Sequence, residues 1–220
     1  NPNFSLWDWA YYFPAAASVF PEKSNVLLLG LGGGTLVKQF ERLNFNVDVV
    51  EIDERVRDVA QEFFYVNKKT NVIIDDGRHF VNTTKKKYDI ITLDVFISEA
   101  PPIQLISVEC FKIMKRKLNA GGIVMMNFYG YLAGDIGKSG RSVYKTFTEA
   151  GFNTKLFVTP GSEGARNLIF LACKDSMDFT NCKYTEPGLP ALGDITQYFI
   201  EPSSLDLDDA IVLSDKVPAL

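Results

Sequence analysis

The sequence is poor in the residues that build disulfide frameworks and cysteine-based metal sites. Only three cysteines occur among 220 residues, Cys110, Cys173 and Cys182, and no CxxC pair is present. An odd number of widely spaced cysteines argues against a secreted disulfide scaffold and against a thiolate zinc site. We therefore expect reduced thiols, no bound metal, and a cytoplasmic protein or the cytoplasmic domain of a larger protein.

A basic excess and a long apolar run are also lacking. Lys and Arg number 23 against 27 Asp and Glu, so the net charge is −4 and a nucleic-acid partner is disfavoured. The most apolar stretch, residues 7–20, contains Asp8 and Pro14 and is too short for a membrane span or a signal peptide. Because the first residue is Asn rather than Met, we expect an excised piece that has lost an amino-terminal or membrane region.

From residue 25 onward, strand-like apolar runs alternate with segments of helical periodicity. The last two strand-like runs follow each other through a turn, which predicts an antiparallel hairpin after a series of parallel strands. The pattern predicts an α/β protein with a Rossmann-like class I methyltransferase fold and a mostly parallel seven-stranded sheet. The predicted strands are Asn25–Leu29, 46–52, Asn71–Ile74, Tyr88–Leu93, 123–128, Asn153–Val158 and 167–173.

Composition divides the chain into three segments. Residues 1–24 are an amino-terminal segment rich in aromatic side chains, and residues 25–174 form the predicted nucleoside-binding domain. Residues 175–220 are predicted to form a loop-rich appendage of that domain. We expect helical turns at 194–199 and 204–211, and one continuous helix over 103–118. Trp7, Trp9 and the aromatic residues 11–13 either line a substrate mouth or pack on a neighbour that the excised piece has lost; we favour packing.

A glycine-rich turn follows the first strand and opens a helix. Its glycines are Gly30, Gly32, Gly33 and Gly34, and Thr35 stands where a dinucleotide fingerprint has its third glycine. Glycines allow a sharp turn and a close approach of ligand to backbone. The spacing suits a nucleoside with an amino-acid or propylamine tail, and a merely tight strand-to-helix turn is the alternative.

Acidic residues stand at the ends of the next two strands. Glu51 is placed to accept hydrogen bonds from both ribose hydroxyls, with Asp53 as a fallback for that role. Asp76 can accept from an adenine amino group, and Gly77 leaves space beside the ring. The alternative for Asp75 and Asp76 is a solvated turn that caps a helix.

At the end of the fourth strand, Asp94 occupies a position where ligands of open α/β sheets gather. Here the sequence resembles the spermidine synthases, or polyamine aminopropyltransferases, of the orphan or fused type. The resemblance rests on residues 26–35, 49–53, Asp76-Gly77, 88–94 and 118–122, and on a degenerate closing segment over 212–220. It implies that Glu51 holds the ribose, Asp76 meets the adenine, and Asp94 orients or deprotonates an attacking amine.

Two departures from the family pattern bear on activity. Ile97 stands where the family has a second aspartate, so that only Glu99 could compensate, and the family's amino-terminal hairpin domain is missing. Tyr129, after the fifth strand, is a further candidate for the substrate pocket. The predicted function is aminopropyl transfer from decarboxylated S-adenosylmethionine, or use of S-adenosylmethionine itself, with a small amine as partner. A methyltransferase and a non-catalytic nucleoside-binding domain remain alternatives, and a homodimer stays open.

Overall fold

A computed structural model describes residues 9–95, 101–159, 164–184 and 194–216. At its centre is a seven-stranded sheet with strand order β3-β2-β1-β4-β5-β7-β6, in which β7 alone runs antiparallel to its neighbours β5 and β6. The predicted fold class is confirmed. The strands are β1 Asn25–Leu29, β2 Asn46–Glu51, β3 Asn71–Ile74, β4 Tyr88–Leu93, β5 Leu118–Gly130, β6 Asn153–Val158 and β7 Arg166–Cys173.

Helices connect the parallel strands and cover both faces of the sheet. None of the helices within the described ranges is both long enough and apolar enough to cross a membrane. Short 3₁₀ turns occur at Asp135–Gly137, Ile195–Tyr198 and Pro202–Ser204. The α-helices are α1 Trp9–Ala17, α2 Thr35–Arg42, α3 Glu54–Phe63, α4 Gly77–Thr83, α5 Ile103–Ile106, α6 Val108–Lys117 and α7 Lys138–Glu149.

Strand β1 shows why a continuous apolar run forms the middle of such a sheet. Successive side chains of a strand point to opposite faces, so Val26 and Leu28 enter the core under α1 and α2. Leu27 and Leu29 enter the opposite core, against α6 and α7. Each fully buried side chain of this kind contributes about 1.5–3 kcal/mol of hydrophobic stabilisation. Both faces of the strand are therefore buried, and the chain leaves the sheet at the glycine-rich turn that follows it.

The amino-terminal aromatic residues form a helix that packs within this chain. Tyr11, Tyr12 and Phe13 are all buried in α1, and the Tyr12 ring lies 4.8 Å from that of Phe157. These residues therefore pack, as we expected, but the expected partner was wrong, because they pack on the chain's own sheet and not on a lost neighbour. Trp7 lies outside the described residues.

The helix predicted over residues 103–118 is divided in two. Ser107 has an extended backbone, and its hydroxyl accepts a hydrogen bond from the Cys110 amide, so it ends α5 and caps α6. Helix α6 ends at Lys117, and β5 begins at once with Leu118 beside Tyr88. The pairing of β4 and β5 is irregular between Tyr88 and Ile90, where β5 advances from Leu118 to Ile123.

The tail has the helical turn predicted at 194–199 but not the one predicted at 204–211. The Ile211 and Leu213 amides donate to the Ser142 and Thr146 hydroxyls of α7. Backbone amides that are satisfied by another helix do not need the i to i−4 bonds of their own. The tail therefore runs extended along α7 after a short 3₁₀ turn at Pro202–Ser204.

Candidate functional site

A cavity of about 430 Å³ lies at the carboxyl ends of the first four parallel strands. It is lined by the residues that end these strands, among them Gly30 after β1, Glu51 in β2 and Asp94 after β4. Asp75 and Asp76, after β3, complete this edge, and residues 102–105 form part of the wall. Open parallel sheets place ligands in this position, where several strand ends converge.

The glycine turn contributes two of its four glycines to the cavity, Gly30 and Gly32. At Gly30, φ is +88° and an added Cβ would lie 2.5 Å from the Asp94 carbonyl oxygen, so a side chain is excluded. At Gly32, φ is +51° but the space beside it is open. Gly33 and Gly34 instead lie against Phe64 and Val66, so their part is to seat the turn.

Glu51 is held by the glycine turn itself. Its carboxylate accepts one hydrogen bond from the Leu31 amide and one from the Asp53 amide, each 3.0 Å long. The side chain is 8% exposed and lines the cavity. Two amide donors orient the carboxylate and leave lone pairs for a ligand, because a carboxylate accepts up to about four hydrogen bonds.

Asp53, the alternative to Glu51 as the acceptor for the ribose hydroxyls, uses its carboxylate in other contacts. Its carboxylate caps α3 through the Arg55 amide and pairs with the Arg55 guanidinium, which holds the pKa of Asp53 at about 2. Asp53 lines a shallow groove beside α3, not the cavity itself. Between the two residues, the structure brings Glu51 to the site.

Asp76 caps a helix and also lies at the cavity. Its Oδ1 accepts from the His79 amide at 2.8 Å and so caps α4, while the residue also lines the cavity. An added Cβ on Gly77 would make ordinary contacts of 3.5–3.7 Å with Leu105 and Leu29, so the protein alone does not require glycine there. The Asp75 carboxylate pairs with the exposed His79 ring at 2.9 Å.

Asp94 continues the β4 ladder by donating its amide hydrogen to the Leu29 carbonyl. Its side chain reaches the cavity but is otherwise surrounded by protein, and this desolvation raises the pKa of Asp94 to about 6. The polar side chain of Asn127 opposes the rise. Asp94 is therefore a carboxylate that is ready to accept a proton near neutral pH.

Sequence reasoning missed Asn127 and Ile52. Asn127 is the single amide in the apolar run of β5 and is 3% exposed, a pattern that could have marked it. Ile52 is a large apolar residue that is 70% exposed and lines the cavity next to Glu51. Of the two weaker candidates, Tyr129 is half exposed and does not line the cavity, and Glu99 lies outside the described residues, as does Ile97.

The cavity is strongly one-sided in charge. Four carboxyls line it, from Glu51, Asp75, Asp76 and Asp94, and no Lys, Arg or His is among its described lining residues. The segments outside the described ranges contain no Lys, Arg or His in their sequence either. The site therefore favours a cationic ligand.

A larger cavity of about 970 Å³ lies beyond β5, between α7 and the tail. It contains none of the strand-end residues discussed above, and its buried arginine, Arg141, is paired with Asp209 of the tail. The residues that line this larger cavity thus include contacts between the tail and the rest of the domain. The candidate functional residues line the cavity of about 430 Å³.

Comparison with protein families identifies the family of this chain. The model of the spermine/spermidine synthase domain matches residues 13–159, more than half of the chain. The chain belongs to the spermine/spermidine synthase family. The matched region of this family member contains every strand end that lines the cavity, and the resemblance seen in the sequence is confirmed.

Individual relatives agree with this assignment. A probable polyamine aminopropyl transferase of Bifidobacterium longum is 32% identical over 115 residues, which are 51% of this chain and 26% of that protein. The chain spans less than half the length of the curated relatives it matches.

Solved structures share the fold. A probable spermidine synthase from Corynebacterium glutamicum has a TM-score of 0.73 at 19% identity, covering 100% of this chain and 84% of that one. A spermidine synthase in complex with the transition-state analogue AdoDATO has a TM-score of 0.56 at 19% identity, covering 76% and 58%.

Proposed function

We propose that this chain is the nucleoside-binding and catalytic part of an aminopropyltransferase that uses decarboxylated S-adenosylmethionine and a small amine. The single observation that carries the proposal is the cavity in which four carboxyls and no cationic side chain meet at the strand ends. Family membership and the relatives named as aminopropyltransferases support it.

The charge of the cavity favours a donor without a carboxylate. S-adenosylmethionine would bring its own carboxylate among Glu51, Asp75, Asp76 and Asp94, with no Lys or Arg to pair with it. An unpaired charge in a partly buried site is costly. The decarboxylated form carries a sulfonium and an ammonium, both cationic, and meets only complementary charge.

Each residue has a role that its surroundings support. Glu51, fixed by two amides, accepts from the ribose hydroxyls. The second carboxylate oxygen of Asp76 accepts from the adenine amino group, and exposed Ile52 covers the base with apolar surface. Asp94 faces the acceptor amine.

In the transfer step, the lone pair of a neutral amine forms a bond to the propyl carbon beside the sulfonium. The carbon–sulfur bond breaks, its electron pair stays on sulfur, and the product is a neutral thioether. The new ammonium then loses a proton, which Asp94 accepts. A carboxylate with a pKa of about 6 suits this task, because it is ionised at neutral pH and still basic enough to take a proton.

Calorimetry with three ligands tests the site: S-adenosylmethionine, its decarboxylated form, and the thioether product. We expect the decarboxylated donor to bind tighter than S-adenosylmethionine by about tenfold or more. Equal or tighter binding of S-adenosylmethionine would favour a methyltransferase. Absence of binding by all three would reject the pocket.

A variant at the ribose position tests the assignment of Glu51. In Glu51→Gln, one half of the amide must place its NH₂ group against a backbone N–H, so both the loop and the ribose contact suffer. We expect donor affinity to fall about 10- to 100-fold. The control is Glu54→Gln, an exposed residue of α3 that should bind as the parent does. Unchanged affinity of Glu51→Gln would show that the ribose lies elsewhere.

Turnover of the decarboxylated donor with a diamine tests the role of Asp94. In Asp94→Asn we expect donor affinity to be kept and turnover to be lost, because the amide cannot accept the proton. Tight donor binding by the parent without any turnover would instead support a non-catalytic nucleoside-binding domain.

A further inference from the structure

Helix α5 forms part of the cavity wall and depends on contacts from other elements. It has only four residues, Ile103–Ile106, and a helix so short leaves most of its backbone carbonyls without an intrahelical partner. Gln104 and Leu105 of this helix, with Pro102 before it, line the cavity. The shape of the cavity on this side therefore depends on what holds α5 in place.

Arg78, in the first turn of α4, is one of the residues that hold α5. Its guanidinium donates from Nη1 to the Gln104 carbonyl at 2.7 Å and to the Ser107 hydroxyl at 3.1 Å. Ser107 is fully buried and separates α5 from α6. The Arg78 side chain is 17% exposed and does not itself line the cavity. A single side chain thus binds both α5 and the residue that ends it.

The carboxyl-terminal tail provides the third acceptor for Arg78. The Asp215 carboxylate accepts from Nη2 at 2.7 Å, across 137 residues of sequence. The tail is itself attached to the first turn of α6, because the Asp215 amide donates to Glu109 and the Leu213 carbonyl accepts from the Val108 amide. The guanidinium is planar and its donors have fixed directions, so an acceptor at Nη2 also fixes the direction of Nη1.

We propose that Arg78 is a positioning residue that holds α5 against the cavity, and that Asp215 of the tail acts through it. Arg78 lies outside the cavity lining, so its effect on a bound nucleoside comes from the placement of Gln104 and Leu105. The inference rests on the proposed function for the identity of the ligand. It gives the tail a part in shaping a binding site that is built from the first half of the chain.

Hydrogen exchange of the protein without ligands tests what holds α5. In Arg78→Met the Gln104 carbonyl and the Ser107 hydroxyl lose their donor, so we expect the amides of residues 103–107 to exchange about tenfold faster or more. The amides of the buried strand β1 should keep their rates, because the change is local. The matched control is Arg57→Met, which removes an exposed ion pair of α3 and should leave α5 as it is. Unchanged exchange of α5 in Arg78→Met would overturn the inference.

Variants of the tail test whether Asp215 acts through Arg78. In Asp215→Ala we expect α5 to exchange only about threefold faster, because Arg78 keeps its other two acceptors. Asp215→Asn retains an oxygen that can accept from Nη2 and should restore most of the parental rate. The double variant Arg78→Met/Asp215→Ala should exchange no faster than Arg78→Met alone, and additive effects would overturn the role of Asp215. Should Arg78→Met not fold, the comparison of Asp215→Ala with Asp215→Asn decides the question.

Calorimetry with methylthioadenosine, the thioether product, tests the consequence for the ligand. We expect Kd to rise about 5- to 10-fold in Arg78→Met and to stay unchanged in Arg57→Met. Faster exchange of α5 together with parental affinity would make Arg78 a purely structural residue and would overturn its positioning role. If the parent protein binds no thioether, the proposed function is rejected, while the exchange rates still decide whether Arg78 holds α5. The two failures are therefore distinguishable.

Discussion

At the scale of single residues, the carboxyls of the cavity differ in what holds them. Glu51 is fixed by two backbone amides of the glycine turn and the chain that follows it, and Asp76 by the first turn of α4. Asp94 follows the buried strand β4, and desolvation there raises its pKa. Desolvation raises the pKa of a carboxyl, and a raised pKa suits a group that takes part in proton transfer.

The raised pKa of Asp94 has a consequence for stability. Its pKa in the folded protein, about 6, lies above the ordinary value of 3.8, so between these pH values the folded state binds the proton more tightly. Ionised Asp94 therefore opposes folding at pH 7.5, and this effect disappears as the pH falls towards 4. We expect Asp94→Asn to raise the free energy of unfolding by about 1–3 kcal/mol at pH 7.5 and by little at pH 4.

Denaturant unfolding at the two pH values checks this prediction. Asp58→Asn, at an exposed position of α3, is the control and should change stability little at either pH. An equal change for Asp94→Asn at both pH values would mean that its charge is not the cause.

At the scale of elements, the turn between β1 and α2 is a piece of backbone shaped by its neighbours. Gly30 lies against the Asp94 backbone and Gly34 against Val66, while Gly32 faces open space. The turn is thus in direct contact with the chain that follows β4. Because Gly30 has no side chain, its backbone can lie against that of Asp94. Both the position of Asp94 and the shape of the glycine turn depend on this contact.

Alanine substitutions separate steric from conformational requirements in this turn. Gly32→Ala adds only the strain of a positive φ, and we expect a loss of about 1 kcal/mol. Gly30→Ala adds the same strain and a contact with the Asp94 carbonyl, so we expect a loss of several kcal/mol and weaker donor binding. Chemical denaturation and calorimetry of the two variants provide the comparison, and similar losses would contradict the packing at Gly30.

At the scale of the whole molecule, the tail joins distant parts of the domain. Phe199 bridges to Phe157 of β6, Leu213 is buried between α6 and α7, and Asp215 pairs with Arg78 of α4. Helix α4 begins at the cavity, so the tail extends from the sheet edge to the helix that Asp76 caps. The division into three segments at residues 24 and 174 and the homodimer remain predictions.

A core substitution in the tail tests whether it belongs to the cooperative unit. Leu213 is 2% exposed and packs in the same core as β1 and α7. We expect Leu213→Ala to lower the free energy of unfolding by about 2–5 kcal/mol in a single transition. Leu207→Ala, at a half-buried position, is the control and should cost less. A loss below that of Leu207→Ala, or a separate early transition, would show that the tail folds independently.

The sequence by itself determined the fold and the positions of the acids. Short apolar runs that alternate with helical segments predict a mostly parallel sheet, and the carboxyl ends of parallel strands, where Glu51, Asp76 and Asp94 stand, lie at one edge of such a sheet. The same local signals missed the break at Ser107 and predicted a helical turn at 204–211 that does not form, because side chains of Ser107 and α7 satisfy backbone amides in these segments.

Tertiary structure alone decided how the acids are held and what covers the aromatic helix. The desolvation of Asp94, the hydrogen bond from the glycine turn to Glu51, and the burial of Tyr12 against Phe157 all depend on residues that are far apart in the sequence. Local propensity contains no information about such contacts, because they arise only when the strands take their order in the sheet. The pKa of Asp94 is a property of that packing, and with it the chemistry that we propose.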